Sequence, residues 1–231
     1  PTPFLDEGQD PRCVFDGEDD VPGELAPIAA KCLMQIMYLA RMARQELLRA
    51  VGGLSSYLTK WTKRHDRKLY RIIQFLVYSR DHMMVGFVGD DLADCTLSLF
   101  TDADFAGDKG SNKSTSGVFL VVLGKHTFFP IGSLSKKQTA TSHSSTEAEI
   151  VATEAGVKGE GLPAMILWEK IRESLLGKGK PGMSLECFQD NQAAKRILTT
   201  GKAPTMRHCA RTHGIDITFV HEVMQGSSAY M

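Results

Sequence analysis

The sequence predicts an α/β fold: a mixed β-sheet with flanking helices, preceded by a small helical segment. Three observations predict it. Apolar residues first recur at three- and four-residue spacing. One run of alternating polar and apolar residues follows, then a β-rich run and a third strand joined to it by a turn, and then helical spacing returns around one further strand. The resulting order of three strands, helices, a strand and a helix is typical of a mixed sheet packed against helices.

The N-terminal third divides by charge. Residues 1–24 are rich in Asp, Glu, Gly and Pro, and we expect an acidic linker with little structure there. Residues 31–80 instead hold eleven Lys and Arg against two acids. A basic surface of this kind favours contact with phosphates, although a solvated helix face explains a basic stretch equally well.

Residues 25–90 predict a small helical segment. Leu33 to Leu47 carry one amphipathic stripe and Trp61 to Tyr78 carry a second, with Gly52-Gly53 between them. We expect two helices separated at the glycines.

Residues 96–131 predict an antiparallel meander of three strands. Polar and apolar residues alternate from Thr96 to Asp102, and a loop is expected from Gly107 to Ser114. The second strand is predicted at Gly117 to Leu123 and the third at His126 to Ile131.

The rest of the chain predicts helices around one more strand, and the whole domain is expected to cover residues 95–231. The expected elements are helices at about 146–159 and 162–176, a strand from Met183 to Gln189, a helix from Asn191 to Leu198 and a helix near Ile215 to Val223.

Three acids lie where these elements start or end. Asp102 ends the first strand, Glu149 lies in the first turn of the helix after the meander, and Asp190 ends the fourth strand. They can meet only if the first and fourth strands are neighbours, at an edge where α/β folds place ligand sites. A cluster of carboxylates suits Mg²⁺, and pairs of such ions are used to cut phosphodiesters.

Each acid also has a purely structural interpretation. Glu149 fits a capping box that begins at Thr146, Asp190 fits a helix N-cap, and Asp102 fits a turn. The residues alone leave both interpretations open.

Four stretches of sequence carry a family resemblance. They are FTDADFAGDKGSNKSTSGVFLVVLG, SLSKKQTATSHSSTEAEIVA, QDNQAAKRIL and RTHGIDI, in that order. Together they resemble the ribonuclease H region of copia-type LTR retrotransposon Pol polyproteins. The stretch from Leu33 to Arg80 is similar to the connection between the polymerase and ribonuclease H parts of the same polyproteins. The resemblance covers roughly residues 25–226.

The resemblance implies a function and a site. It implies a ribonuclease H-like domain that hydrolyses the RNA strand of RNA/DNA hybrids during reverse transcription, by a two-metal mechanism with Mg²⁺ or Mn²⁺. Asp102, Glu149 and Asp190 carry over as the metal-binding acids, with Asp104 and Glu147 as their nearest rivals. The implied partners are the hybrid and the other domains of the parent polyprotein, including reverse transcriptase.

The sequence departs from the family pattern in three places. Phe105 replaces the usual Trp, and Phe128 to Gly132 replace a strand end that contains Ser and Trp. No counterpart of the family's last strand, last helix and fourth acid follows HEVMQGSSAYM, so we expect a C-terminally incomplete domain. The alternative function is therefore a truncated, catalytically inactive remnant that binds nucleic acid. A YVDD-like polymerase motif is also absent from the sequence, so DNA synthesis is not expected.

Basic and amide side chains near the acids are candidates for contact with a hybrid, which is held mainly through phosphates and 2′-hydroxyls. The candidates near the acids are Lys109, Lys113, Ser114, Lys136, Lys137, Gln138, Asn191 and Gln192. A second set lies upstream, at Lys60, Trp61, Lys63, Arg64, Arg67 and Lys68.

Composition excludes several protein classes. No apolar run reaches roughly 18 residues and no secretory signal is visible, so we expect an intracellular protein, cytoplasmic or nuclear, with no membrane contact. The five scattered cysteines favour a reducing compartment. Cys187, His208, Cys209 and His213 suggest zinc by residue type, but they lack a CxxC pair or the spacing of a zinc finger.

Overall fold

The computed structural model describes residues 2–4, 20–108, 111–177 and 184–226. It forms two compact units, which we call the helical unit (Pro1–Met84) and the sheet unit (Val85–Met231). Most of the predicted acidic linker lies outside the described residues. In the described part of the chain, no helix is both long and apolar enough to cross a membrane.

The helical unit contains three helices, α1 (Ala26–Met42), α2 (Leu48–Ser55) and α3 (Lys63–Tyr78). Their apolar stripes meet in one core, whose largest fully buried members are Leu33, Leu47, Val51, Leu69 and Ile72.

The predicted break at Gly52-Gly53 is wrong, because both glycines lie inside α2. Leu48, Val51 and Leu54 are buried along this helix. Their burial outweighs the cost of about 0.5–1 kcal/mol that each glycine imposes within a helix.

A buried carboxylate joins the first and last helices of the helical unit. Asp66 on α3 accepts hydrogen bonds from the backbone N–H groups of Glu24 (2.8 Å) and Leu25 (3.2 Å), which precede α1. It also accepts one from the indole Nε1 of Trp61 at 2.7 Å. Asp66 therefore satisfies N–H groups at the start of α1 from a different helix.

We expect Asp66→Ala to destabilise the helical unit by about 2–4 kcal/mol, because three donors lose a charged acceptor. The chain has two tryptophans. In a Trp168→Phe background, the fluorescence of Trp61 therefore reports urea unfolding of the helical unit. Asp81→Ala is the matched control, since the Asp81 side chain is 91% exposed. Equal midpoints for the two variants would contradict the role given to Asp66.

The sheet unit is built on four strands, β1 (Thr96–Asp108), β2 (Lys113–Leu123), β3 (Phe128–Lys137) and β4 (Leu185–Phe188). Their order is β3-β2-β1-β4. The first three form the predicted antiparallel meander, and β4 pairs with β1 in parallel. The predicted mixed sheet is confirmed, as is the expectation that the first and fourth strands are neighbours.

The first strand is longer than predicted. Asp102 does not end it, because the ladder continues through Asp104 opposite Thr115 and resumes at Asp108 opposite Lys113 after an irregularity. Within this irregularity Ala106 has a φ of 51°, and its N–H donates to the Ser114 hydroxyl at 3.1 Å. Of the described residues in the predicted loop from Gly107 to Ser114, the first two end β1, residues 111–112 form a turn and the last two begin β2.

Helices cover and flank this sheet. They are α4 (Ser145–Gly156), α5 (Leu162–Leu176), α6 (Gln192–Thr200), α7 (Cys209–Thr212) and α8 (Ile217–Gly226). A single π-helical turn, Val157–Gly161, connects α4 to α5 without a break. The predicted flanking helices are confirmed, and α5 has the bounds that its apolar spacing indicates.

Helix α4 contacts β1 and β2, and α6 and α8 contact α4. The core between them includes Leu99 from β1, Leu120 from β2, Ile150 from α4 and Leu185 from β4, all fully buried. A Cβ atom at Gly156 would lie 3.1–3.2 Å from Thr101 and Val118 side-chain atoms. The absence of a side chain at Gly156 thus lets α4 approach the sheet closely, which fixes the position of the acid it carries.

Candidate metal centre

Three acids that are distant in sequence come together at one edge of the sheet. Asp102 lies on β1, Asp190 follows β4, and Glu149 lies on α4. One carboxylate oxygen from each lies within 4.8 Å of the other two. We call this group the carboxylate cluster. Its members meet because β4 is the parallel neighbour of β1 and α4 lies against the same strands.

Glu149 is not needed to cap its helix. The N-cap of α4 is Ser144, whose hydroxyl accepts from the N–H of Glu147 at 3.1 Å. Glu147 in turn accepts from the N–H of His143 at 3.0 Å. The predicted capping box at Thr146 and Glu149 is therefore wrong by two residues, and Glu149 lies in the second turn rather than the first.

Asp190 is not a helix cap either. The N-cap of α6 is Asn191, whose Oδ1 accepts from the N–H of Ala194 at 3.0 Å. Asp190 is exposed and precedes the cap. The two capping roles that the sequence allowed for Glu149 and Asp190 are thus filled by other residues nearby, Ser144 and Asn191.

Gln189 is a residue of this site that sequence reasoning missed. Its amide Nε2 donates to Glu149 Oε2 at 3.1 Å and lies 3.2 Å from the hydroxyl of Thr153. Its Oε1 accepts from the N–H of Asn191 at 3.0 Å. Gln189 thus connects the end of β4 to Glu149. The signal in the sequence was its place beside Asp190 in QDNQ.

The electrostatics of the cluster favour a cation. Burial raises the pKa of Glu149 above its usual value, and the charges of Asp102 and Asp190 raise it further. The hydrogen bond from Gln189 acts in the opposite direction but does not reverse the shift. A bound cation would relieve this mutual repulsion.

The donor set fits a hard divalent ion. All three side chains offer carboxylate oxygens, the ligands that Mg²⁺ and Mn²⁺ prefer. Glu149 is 6% exposed, whereas Asp102 and Asp190 are exposed. One side of the cluster is thus anchored in the protein and the other is open to solvent, where a substrate can approach.

The rival acids lie elsewhere. Asp104 is exposed and Glu147 is buried, and neither belongs to the carboxylate cluster among the described residues. Asp216 accepts from the N–H groups of Thr218 (2.9 Å) and Phe219 (3.1 Å). It therefore stabilises the start of α8.

Two of the residues predicted to contact nucleic acid have buried side chains. Ser114 is fully buried and bonds Ala106. Gln138 is 5% exposed, and its Nε2 donates to Ser116 Oγ at 3.0 Å and to the carbonyl of Ala148 at 2.9 Å. Ser114 thus joins β2 to β1, and Gln138 joins β2 to α4.

The other predicted contacts near the acids differ in how they are engaged. Lys113 donates to the carbonyl of Thr139 at 2.5 Å, and the side chain of Asn191 caps α6. Lys136 and Gln192 are exposed. Lys109 lies outside the described residues. In the upstream set, Trp61 is 7% exposed and belongs to the core of the helical unit.

Lys137 is held by an acid. Its Nζ donates to Asp108 Oδ2 at 2.6 Å, and the Ser111 hydroxyl donates to the same oxygen. Burial alone would raise the pKa of Asp108, but the hydrogen bonds from Lys137 and Ser111 outweigh it and lower this pKa. The charged form of Asp108 is thus favoured by folding.

We therefore expect Asp108→Asn to lower the free energy of unfolding at neutral pH by about 1 kcal/mol. A depressed carboxyl pKa contributes stability above its ordinary value, and that stability is lost as the pH falls through the folded pKa. The difference between wild type and variant should thus shrink toward zero in acid, as measured by urea unfolding at a series of pH values. The exposed Asp81→Asn should show no such difference, and a gap for Asp108→Asn that stays constant into acid would contradict the assignment.

Comparison with known proteins gives both structural and sequence similarity. No model of a known protein family matches the chain. Among solved structures, the chain is similar to a ribonuclease H1 from the archaeon Halobacterium salinarum, with 13% identity and a TM-score of 0.34, over 58% of this chain and 80% of that one. It is also 33% identical over 117 residues to secreted RxLR effector protein 161 of Plasmopara viticola, covering 51% of this chain and 78% of that protein.

The chain is also similar to transposon polyproteins. The chain is 39% identical over 114 residues to the retrovirus-related Pol polyprotein from transposon RE1 of Arabidopsis thaliana, covering 49% of this chain and 7% of the polyprotein. It is 31% identical over 189 residues to that from transposon TNT 1-94 of Nicotiana tabacum, covering 80% of this chain and 12% of the polyprotein. The chain thus corresponds to a small segment of these relatives, and over half to most of its length it is similar to retrovirus-related Pol polyproteins of copia-type transposons.

Proposed function

We propose that the sheet unit is a ribonuclease H-like domain that hydrolyses the RNA strand of RNA/DNA hybrids with divalent metal ions. The observation that carries this proposal is the carboxylate cluster, in which acids from β1, α4 and the end of β4 converge. We assign residues 95–231 to this domain and residues 25–90 to the connection that precedes it in the parent polyprotein. The proposal implies an intracellular site of action.

Asp102, Glu149 and Asp190 are the residues that would hold the ions, Mg²⁺ or Mn²⁺. When bound, such ions supply an activated water and stabilise the charge that develops on the leaving oxygen. The chain's own contribution is to hold three carboxylates in place before substrate arrives. Asp102 and Asp190 are exposed, whereas Glu149 is buried and is held by the hydrogen bond from Gln189.

Gln189 is the positioning residue of this arrangement. Its amide donates a hydrogen bond to Oε2 of Glu149, so the protein holds one of the two carboxylate oxygens in place. The hydroxyl of Thr153 accepts a hydrogen bond from the same amide and donates to the carbonyl of Glu149 at 2.9 Å. The bond from Gln189 restricts the Glu149 side chain, and Thr153 holds the Gln189 amide in place by accepting its second hydrogen bond.

Exposed polar side chains near the cluster suit a nucleic-acid duplex. Lys136 and Gln192 are exposed. An ammonium group binds phosphate, and an amide can hydrogen-bond the 2′-hydroxyl that distinguishes RNA from DNA. We propose these two residues as hybrid contacts in place of the buried Ser114 and Gln138.

The test is cleavage of an end-labelled RNA strand annealed to DNA by the purified chain, with Mg²⁺, Mn²⁺ or a chelator. We expect products only with metal and only from the RNA of the hybrid, with none from duplex RNA or duplex DNA. Asp102→Asn should abolish the products. Asp104→Asn is the matched variant, two residues further along β1 and outside the cluster, and it should retain cleavage.

Two outcomes would overturn the proposal. Metal-dependent cleavage that survives Asp102→Asn would show that the cluster does not perform the reaction. Salt-sensitive binding of the hybrid by a folded chain that yields no product would favour the other candidate, a remnant that binds nucleic acid without cutting it. A filter-binding assay on the same preparations separates these cases.

A further inference from the structure

A second group of ligand-type side chains lies on the opposite side of the start of α4. Glu147, His208 and Cys209 place one ligand atom each within 4.8 Å of one another. His208 Nε2 lies 3.3 Å from Glu147 Oε1 and 3.9 Å from Cys209 Sγ. His213 Nε2 lies 2.8 Å from the same Glu147 oxygen. We call these four residues the histidine cluster.

The chemistry of this group differs from that of the carboxylate cluster. It combines a thiol, an imidazole and a carboxylate, which are the three ligand types that zinc takes in proteins. Bond lengths of about 2.0–2.3 Å around a tetrahedral ion put neighbouring ligand atoms roughly 3.3–3.8 Å apart. The distances from His208 Nε2 to the carboxylate and to the thiol, 3.3 and 3.9 Å, are close to that spacing.

We propose that Glu147, His208 and Cys209 bind one Zn²⁺, with the fourth position open to solvent. Cys209 and the side chain of Glu147 are almost completely buried, whereas the side chain of His208 is 40% exposed. The ion therefore has two anchored ligands and an entry path past the third. Binding requires the thiolate, so the Cys209 proton is released to solvent.

His213 is a positioning residue in this site. Its side chain is 1% exposed and its Nε2 contacts Glu147 Oε1. A buried imidazole that bonds a ligating carboxylate fixes the orientation of that ligand. Removal of such a partner typically weakens metal binding by about 10- to 100-fold.

The topology explains why the spacing of these residues in the sequence does not predict a zinc site. His208 and Cys209 begin α7, whereas Glu147 belongs to the first turn of α4, far away in the chain. Cys187, which also suggested zinc, lies on β4 and is not part of the group. The ion would connect the segment that carries α7 to the start of α4, two residues before Glu149.

The test uses the purified full chain, stripped of metal and then dialysed against Zn²⁺ or Co²⁺. We expect one tightly held zinc per chain, and with Co²⁺ a thiolate-to-cobalt absorption band together with tetrahedral d–d bands. Cys209→Ser should lose both the zinc and the thiolate band. Cys95→Ser is the matched control, because Cys95 is also buried but outside the group.

Further variants separate this site from the carboxylate cluster. Asp102→Asn should keep the thiolate band, whatever happens to hybrid cleavage, so the two sites are tested independently. His213→Gln should keep one zinc with weaker affinity in a chelator competition. Absence of bound zinc, or a thiolate band that survives Cys209→Ser, would overturn the proposal. Circular dichroism of each variant establishes that it is folded.

Discussion

Glu149→Gln is expected to reduce metal-dependent cleavage of an RNA/DNA hybrid by at least about 10²- to 10³-fold, the scale of losing one electrostatic contact to a reacting centre. Glutamine has nearly the same shape and retains an oxygen that can accept the hydrogen bond from Gln189. What is lost is one negative charge in a group whose ligand atoms lie within 4.8 Å of one another. The measurement is the initial cleavage rate at saturating Mg²⁺.

The same substitution should not destabilise the metal-free fold. Asp102 and Asp190 repel the Glu149 carboxylate, so its replacement by a neutral amide relieves repulsion in the absence of metal. Thermal unfolding in chelator should therefore give a Tm equal to or above that of the wild type. A variant that is less stable and fully active per folded molecule would contradict the proposed role of Glu149.

Ile150→Ala, one residue further along α4, should have the opposite pattern. Ile150 is fully buried in the core between α4 and the sheet. Truncation of a buried isoleucine to alanine removes apolar contacts and leaves a cavity, at a cost of about 2–5 kcal/mol. Urea unfolding of the sheet unit, followed by the fluorescence of Trp168 in a Trp61→Phe background, measures this loss.

Cleavage by Ile150→Ala should persist at low temperature, because the carboxylates themselves are unchanged. Val151→Ala is the matched control, since Val151 is only partly buried and should lose less stability. A loss of activity without a loss of stability in Ile150→Ala would mean that α4 transmits small shifts of packing to Glu149. Comparison of Glu149→Gln with Ile150→Ala thus distinguishes the catalytic role of α4 from its role in packing.

The spacing of apolar residues was sufficient to predict most of the fold. Alternation at the start of β1 and helical spacing in α5 each correspond to one packed face, so local sequence contains the information. The neighbouring positions of β1 and β4 followed from requiring three distant acids to meet. That requirement came from chemistry and not from periodicity.

The errors arose where polar residues have more than one use. Asp102 resembled a strand end because a stretch rich in Gly, Lys and Ser begins five residues later, yet Ala103 and Asp104 continue the ladder opposite Ser116 and Thr115 on β2. Several consecutive hydroxyl residues each fit the N-cap pattern, so the sequence did not distinguish Thr146 from Ser144, which caps α4 in the structure. Ser114 and Gln138 resembled surface contacts, but their burial depends on strand pairing that a single sequence does not reveal.

The π-helical turn at Val157–Gly161 contains one residue more than a regular α-helical turn needs. The orientation of α5 therefore depends on the number of residues in this turn as well as on their identity. Each residue of an α-helix advances the rotation by about 100°. Deletion of Gly159, whose Cβ position faces open space, would restore a regular helix and rotate α5 by that angle. Met165 and Trp168, which pack on the core, would then turn away from it. Insertions and deletions in this turn should therefore be tolerated far less than substitutions.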